Sequence, residues 1–184
     1  MVDTSRLAAL AEPVTGTDAT TDRLPERVGL IPGVLDRVIA SRLDRVGPAV
    51  RWGIGAGGDD ASAAMRAALA LGIARDHARW LGFATGEPWR DGLLADLVPA
   101  LTALLDDLTP RQAEIVGRVL VDGARQAEVA AALGVSRATV SVAVARGRLP
   151  AIAAARRAIE SLLLGPPATA PGVGVGVAPA AEPG

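Results

Sequence analysis

The residues that could do chemistry are few. Gly53, Gly55 and Gly58, within RWGIGAGG at 51–58, satisfy G-x-G-x-x-G between a strand-like run and a helix-like one. That spacing lets a backbone approach a dinucleotide pyrophosphate. Against it, no second strand ending in an acidic residue is predicted downstream, and Asp76 falls within the predicted helix. Asp59-Asp60 and Asp106-Asp107 are adjacent carboxylates. On a helix such neighbours diverge by about 100°, so they cap or solvate rather than share a site. His77, the one histidine, sits among Arg and Asp neighbours and has no second histidine with which to bind a metal. Without cysteine there is no disulfide framework, zinc finger or thiol catalysis. The expectation is a protein that is not an enzyme and needs no cofactor or metal.

The remaining composition is that of a helical protein. Half of the 184 residues are apolar, yet Trp52, Trp80, Trp89 and Phe83 are the only aromatics, while alanine occurs 38 times. Small side chains of that kind favour closely packed helices. The three tryptophans cluster in the middle third and are expected in the core. The start, MVDTSRLAAL, places acid before any apolar run, unlike a secretory signal. No run of about 20 apolar residues could span a membrane. A cytoplasmic location is expected. The net charge of −1 hides an asymmetry: residues 1–108 sum to −4 and residues 109–164 to +4, with all 19 basic residues being Arg. A basic C-terminal segment on an acidic N-terminal one suits a nucleic-acid binder.

Patterning divides the chain. Residues 1–22 lack periodicity and read as a flexible arm; 23–90 read as a small N-terminal domain with one short strand. Within it, a helix is predicted over 31–45, a strand over 49–55, a helix over 60–81 and a loop over 82–90. The 60–81 helix is expected to bury Ala64, Ala68, Leu71, Ile73 and Trp80. A connecting helix spans 91–107, kinked at Pro99. Residues 165–184, rich in Pro, Gly and Ala, have the composition of a disordered tail.

Residues 108–164 carry the strongest pattern. Thr109, Pro110 and Gln112 form a capping box with proline at the first helical position. Gly123 can end that helix; a short helix follows at about 125–133. Gly134 permits a positive-φ turn, and Ser136 caps a third helix reaching about 146. Ala130 is small enough for two helices to cross closely, while Val129, Leu133, Val135, Val140 and Ala143 point inward. This is a helix-turn-helix. A last helix at 150–164 carries Ile152, Ala155, Ile159, Leu162 and Leu163, suited to packing on this bundle or on its twin in a homodimer.

TPRQAEIV…DG…AEVAAALGVSRATVS resembles the DNA-binding helix-turn-helix of LuxR-type regulators and of sigma-factor region 4. The resemblance implies that the third helix lies in the major groove of double-stranded DNA. Ser136, Arg137, Ala138, Ser141 and Val142 would then face bases. Arg125, Gln126, Thr139, Arg146 and Arg148 would face phosphates. Arg125 stands where a Ser or Thr cap is usual, and Ser141 and Ala143 where a basic residue often lies, so dimerisation or a second contact would restore affinity. Residues 51–57 are also similar to the R-x-G-I-x-x-G turn of nucleotide-cyclase-like domains and to the central segment of SatD-like proteins. No GD-containing strand lies upstream and no N-x-A-x-R downstream, which implies a shortened, catalytically silent version. The expected fold is mainly α: a C-terminal helix-turn-helix bundle with a small α/β, truncated cyclase-like or helical N-terminal region. The expected function is sequence-specific DNA binding in transcriptional regulation. The alternatives are a helical module contacting RNA polymerase or another regulator, and a silent nucleotide-binding domain at RWGIGAGG.

Overall fold

The computed structural model describes residues 6–14, 33–44, 47 and 49–164. The expected tail at 165–184 lies outside the described residues, as do 1–5 and 15–22 of the expected arm. In chain order the elements are β1 (Arg6–Pro13), α1 (Val34–Leu43), β2 (Val50–Gly57), α2 (Asp60–Asp76), β3 (Leu81–Ala84), α3 (Pro88–Asp106), α4 (Pro110–Leu120), α5 (Gln126–Leu133), α6 (Arg137–Arg146) and α7 (Leu149–Leu164). The architecture is mainly helical with a small sheet ordered β1-β2-β3. β1 pairs antiparallel to β2, with Ala9 opposite Ile54, and β2 runs parallel to β3, with Ile54 opposite Phe83.

Two expected irregular segments are therefore strands. Residues 6–13 belong to β1 rather than a flexible arm, and 81–84 form β3 rather than the end of the 60–81 helix and the start of the loop, α2 ending at Asp76. The reason is burial on both faces. Leu7, Ala9 and Ala11 pack with the main core, while Ala8 and Leu10 pack with Ala67 and Leu71 of α2. A strand covered on both sides has no polar alternation to reveal it.

The sheet is asymmetric across its plane. Trp52, Ile54, Leu81 and Phe83 point into the main core with α1, α3 and α7. Gly53, Gly55, Gly57 and Gly82 point the other way, toward α2, whose Ala63, Ala67, Ala70 and Ala74 are fully buried. A Cβ at any of these four glycines would lie less than 3.0 Å from α2 backbone or side-chain atoms. Glycine on one surface and alanine on the other let the helix sit almost on the sheet. The face expected for this helix is accordingly shifted: Ala68 and Ile73 are exposed, and Ala63, Ala67, Ala70 and Ala74 are the buried positions beside Leu71.

The main cluster continues from the sheet through Leu94, Val98, Leu101 and Leu105 of α3 to Ala113 and Val116 of α4 and Ile152, Ile159 and Leu163 of α7. The buried indoles are satisfied: Trp52 Nε1 donates to Ser41 Oγ at 2.8 Å and Trp80 Nε1 to Thr102 Oγ1 at 2.6 Å. Trp89 departs from expectation. It is 58% exposed, beneath the Arg90 guanidinium, and its indole N–H donates to Glu87. No single described helix is long and apolar enough to cross a membrane.

Candidate nucleic-acid interface

Local sequence builds each helix of the 109–146 unit. Thr109 accepts from the Gln112 backbone N–H, and the Gln112 side chain accepts from the Thr109 N–H at 2.9 Å, closing the capping box on α4. The side chain of Arg125 makes no cap for α5; instead Glu128 Oε2 accepts the Arg125 backbone N–H at 2.8 Å. That carboxylate partly replaces the missing Ser or Thr. Gly134 ends α5 at φ 63, ψ 33, a left-handed conformation that costs glycine little. Ser136 caps α6 by accepting from Thr139 N at 3.1 Å. The chain bends by 111° between α5 and α6, within the range of helix-turn-helix units.

A small separate core holds that angle. Ile115 of α4, Val129 and Ala130 of α5 and Val140 of α6 are buried together, with Leu133, Val135, Ala143 and Val144 packed around them. Because Val140, Ala143 and Val144 point inward, the opposite stripe of α6 is left outward. Arg137, Ala138, Ser141 and Val142, together with Ser136 at the cap, are exposed as the spacing requires. Thr139 and Arg146 are exposed on the same helix, Arg125 is exposed at the start of α5, and Gln126 is half-buried. The structure thus gathers the residues expected to face bases onto one helix surface. Val142 is 49% exposed, an apolar side chain left uncovered on that surface.

The electrostatics sort the arginines. Glu114 bonds Arg111 at 2.7 Å and Arg118 at 3.2 Å. Those guanidiniums, Arg111 first, hold its carboxyl below the ordinary glutamate range. Arg111 also donates to Leu133 O, so it braces the bundle. Arg156 Nη2 donates to Asp36 Oδ2 at 2.9 Å, tying α7 to α1. Among the described residues, by contrast, the side chains of Arg125, Arg137 and Arg146 have no ion pair or hydrogen bond. Arg148 differs from the other phosphate-facing candidates. It lies past α6 at φ 49, 3.7 Å from Asp107, and its carbonyl accepts the Ala151 and Ile152 N–H groups that open α7. Sequence reasoning missed both acidic partners. Glu114 was detectable by its i,i+3 and i,i+4 spacing from Arg111 and Arg118; Asp107 was not, since the fold alone brings it to Arg148.

Two other expectations change. The apolar stripe of α7 packs chiefly on α3, so Ile152, Ile159 and Leu163 are unavailable to a twin helix. Of the three glycines in G-x-G-x-x-G, Gly53 and Gly55 face α2 backbone, and only Gly58 has open space around it. The N-terminus of α2 is occupied by the Asp59 carboxylate, which accepts from Ser62 N at 2.7 Å. The Ser62 backbone and side-chain bonds hold that carboxyl below the ordinary range, keeping an anion where a phosphate would sit.

No curated protein and no solved structure gives a significant match to the chain. Residues 99–149 match the family described as Sigma-70, region 4. That span opens in the second half of α3 and closes just past α6, and it makes this segment a helix-turn-helix of the DNA-binding type that serves transcription.

Proposed function

We propose that this chain is a non-enzymatic, cytoplasmic regulator that binds double-stranded DNA sequence-specifically, with α6 in the major groove. The observation that carries the reading is the outward stripe of α6, where, among the described residues, Arg137 has no partner and Val142 no cover. The planar fork of Arg137 matches guanine O6 and N7, and Val142 offers apolar contact to a thymine methyl. Arg125, Thr139, Gln126, Arg146 and Arg148 take phosphates, which supply affinity and register but no sequence information. Selection from sheared genomic DNA at about 150 mM salt, a concentration that suppresses non-specific binding, tests this. A shared motif is expected, with Arg137→Ala relaxing the preference by about 1–3 kcal/mol and Arg146→Ala weakening all sequences alike. Random fragments that vanish with modest salt would overturn it.

A second reading is favoured by the family match: the unit contacts RNA polymerase. Capture of a polymerase subunit by a chain whose DNA binding is flat across sequences would select it.

A further inference from the structure

We propose that the outer face of α2 is the contact between two copies of this chain. α2 covers the sheet face opposite α1, α3 and α7, and nothing described covers α2 in turn. Met65, Leu69 and Ile73, spaced four apart, form an outward ridge and are 68%, 59% and 37% exposed. Between Ala61 and Ile73 the only charged residue is Arg66, and its guanidinium is turned in to donate to Ala56 O at 2.6 Å. A surface helix ordinarily presents charge to water on this side. Here Met65, Leu69 and Ile73 point out, while four alanines and Leu71 point in.

Gly72 supplies an independent observation. It lies inside the helix, where glycine costs about 1 kcal/mol relative to alanine. A Cβ there would meet nothing within 4 Å, unlike the glycines of β2. Nothing among the described residues of one copy calls for glycine at 72, whereas close approach of a second helix does. Ala64, Ala68 and Gly72 form a row of small residues beside the Met65–Leu69–Ile73 ridge. A ridge next to a groove on the same helix is the self-complementarity that a two-fold contact demands. In an antiparallel pair, the Asp59–Asp60 end of one helix also comes beside the Arg75 end of the other; Asp60 and Arg75 are bonded to Arg6 and Glu12 within each copy, but both side chains remain more than half exposed. One helix face is smaller than the ~800 Å² per partner of a standard interface, so the contact is of the weak class. It leaves α6 exposed in both copies and does not depend on the DNA reading.

Sedimentation equilibrium of the full chain, from about 10 µM to about 1 mM, spans the range of weak contacts. The apparent mass is expected to rise from 18.6 kDa toward twice that value. Leu69→Glu, at an exposed position, should hold it at the monomer value. Gly72→Leu should do the same while melting no lower than the parent, because leucine is the better helix former and has open space in the monomer. A parent mass that stays at 18.6 kDa throughout, or association undiminished in both variants, would overturn the proposal.

Discussion

Ser136 illustrates how one side chain can be claimed twice. Its hydroxyl caps α6 through Thr139 N and lies 2.9 Å from the Thr139 hydroxyl, so both oxygens already have partners within the chain. Ser136→Ala should lower stability by about 1 kcal/mol through loss of the cap. Ser136→Asp keeps a capping oxygen but sets a negative charge at the end of α6 that would enter the groove in the proposed reading. It should melt like the parent and lose DNA affinity. Thermal unfolding and a DNA titration on the same two variants separate the roles; equal DNA binding by the aspartate variant would remove position 136 from the interface.

At the scale of elements, the contact of α2 with the sheet rests on the absence of side chains. Gly55 faces Ala63 and Ala67 across backbone-to-backbone contact, so Gly55→Val must drive the helix outward or unfold it. A loss of at least about 1–3 kcal/mol is expected, measurable by denaturant unfolding. Gly58 has open space around it, and Gly58→Ala should be close to neutral. A phosphate-cradling turn would make the opposite demand, needing its third glycine as much as its second.

For the whole molecule, Glu12 joins three elements, bonding Arg51 of β2 at 2.8 Å and Arg75 of α2. Burial works against its charge, but the Arg75 and Arg51 guanidiniums more than offset this and hold its pKa below the usual glutamate value. A carboxyl depressed by folding stabilises above its unfolded pKa, and that contribution is lost as pH falls through the folded value. Glu12→Gln should therefore cost about 1–2 kcal/mol at neutral pH, in line with charge-assisted hydrogen bonds. Its stability should also fall less steeply in acid, below the ordinary glutamate range, where the folded parent takes up the proton. Parallel pH-stability curves for the two proteins would show that the triad contributes nothing.

What the chain determined by itself was the helix-turn-helix. Its signals act within one or two turns: the Thr109–Gln112 box, the Gly134 turn, the Ser136 cap, and an apolar period that places Val129, Ala130 and Val140 inside and Arg137 and Val142 outside. Only the tertiary structure decided the N-terminal half. β1 and β3 are short apolar runs whose pairing partner, β2, is distant in sequence for β1 and separated by a helix for β3. Coverage on both faces erased the alternation that would have revealed β1. α2 is rich in alanine and has apolar residues on every side, so periodicity could not fix which side meets the sheet. The glycine floor of β2 chose it, because backbone that close takes the alanine face, with Leu71 beside it against β1, leaving Met65, Leu69 and Ile73 outward. Trp89 went to the surface for a related reason: Trp52 and Trp80 lie on the large-residue side of the sheet, while α3 turns position 89 away from it.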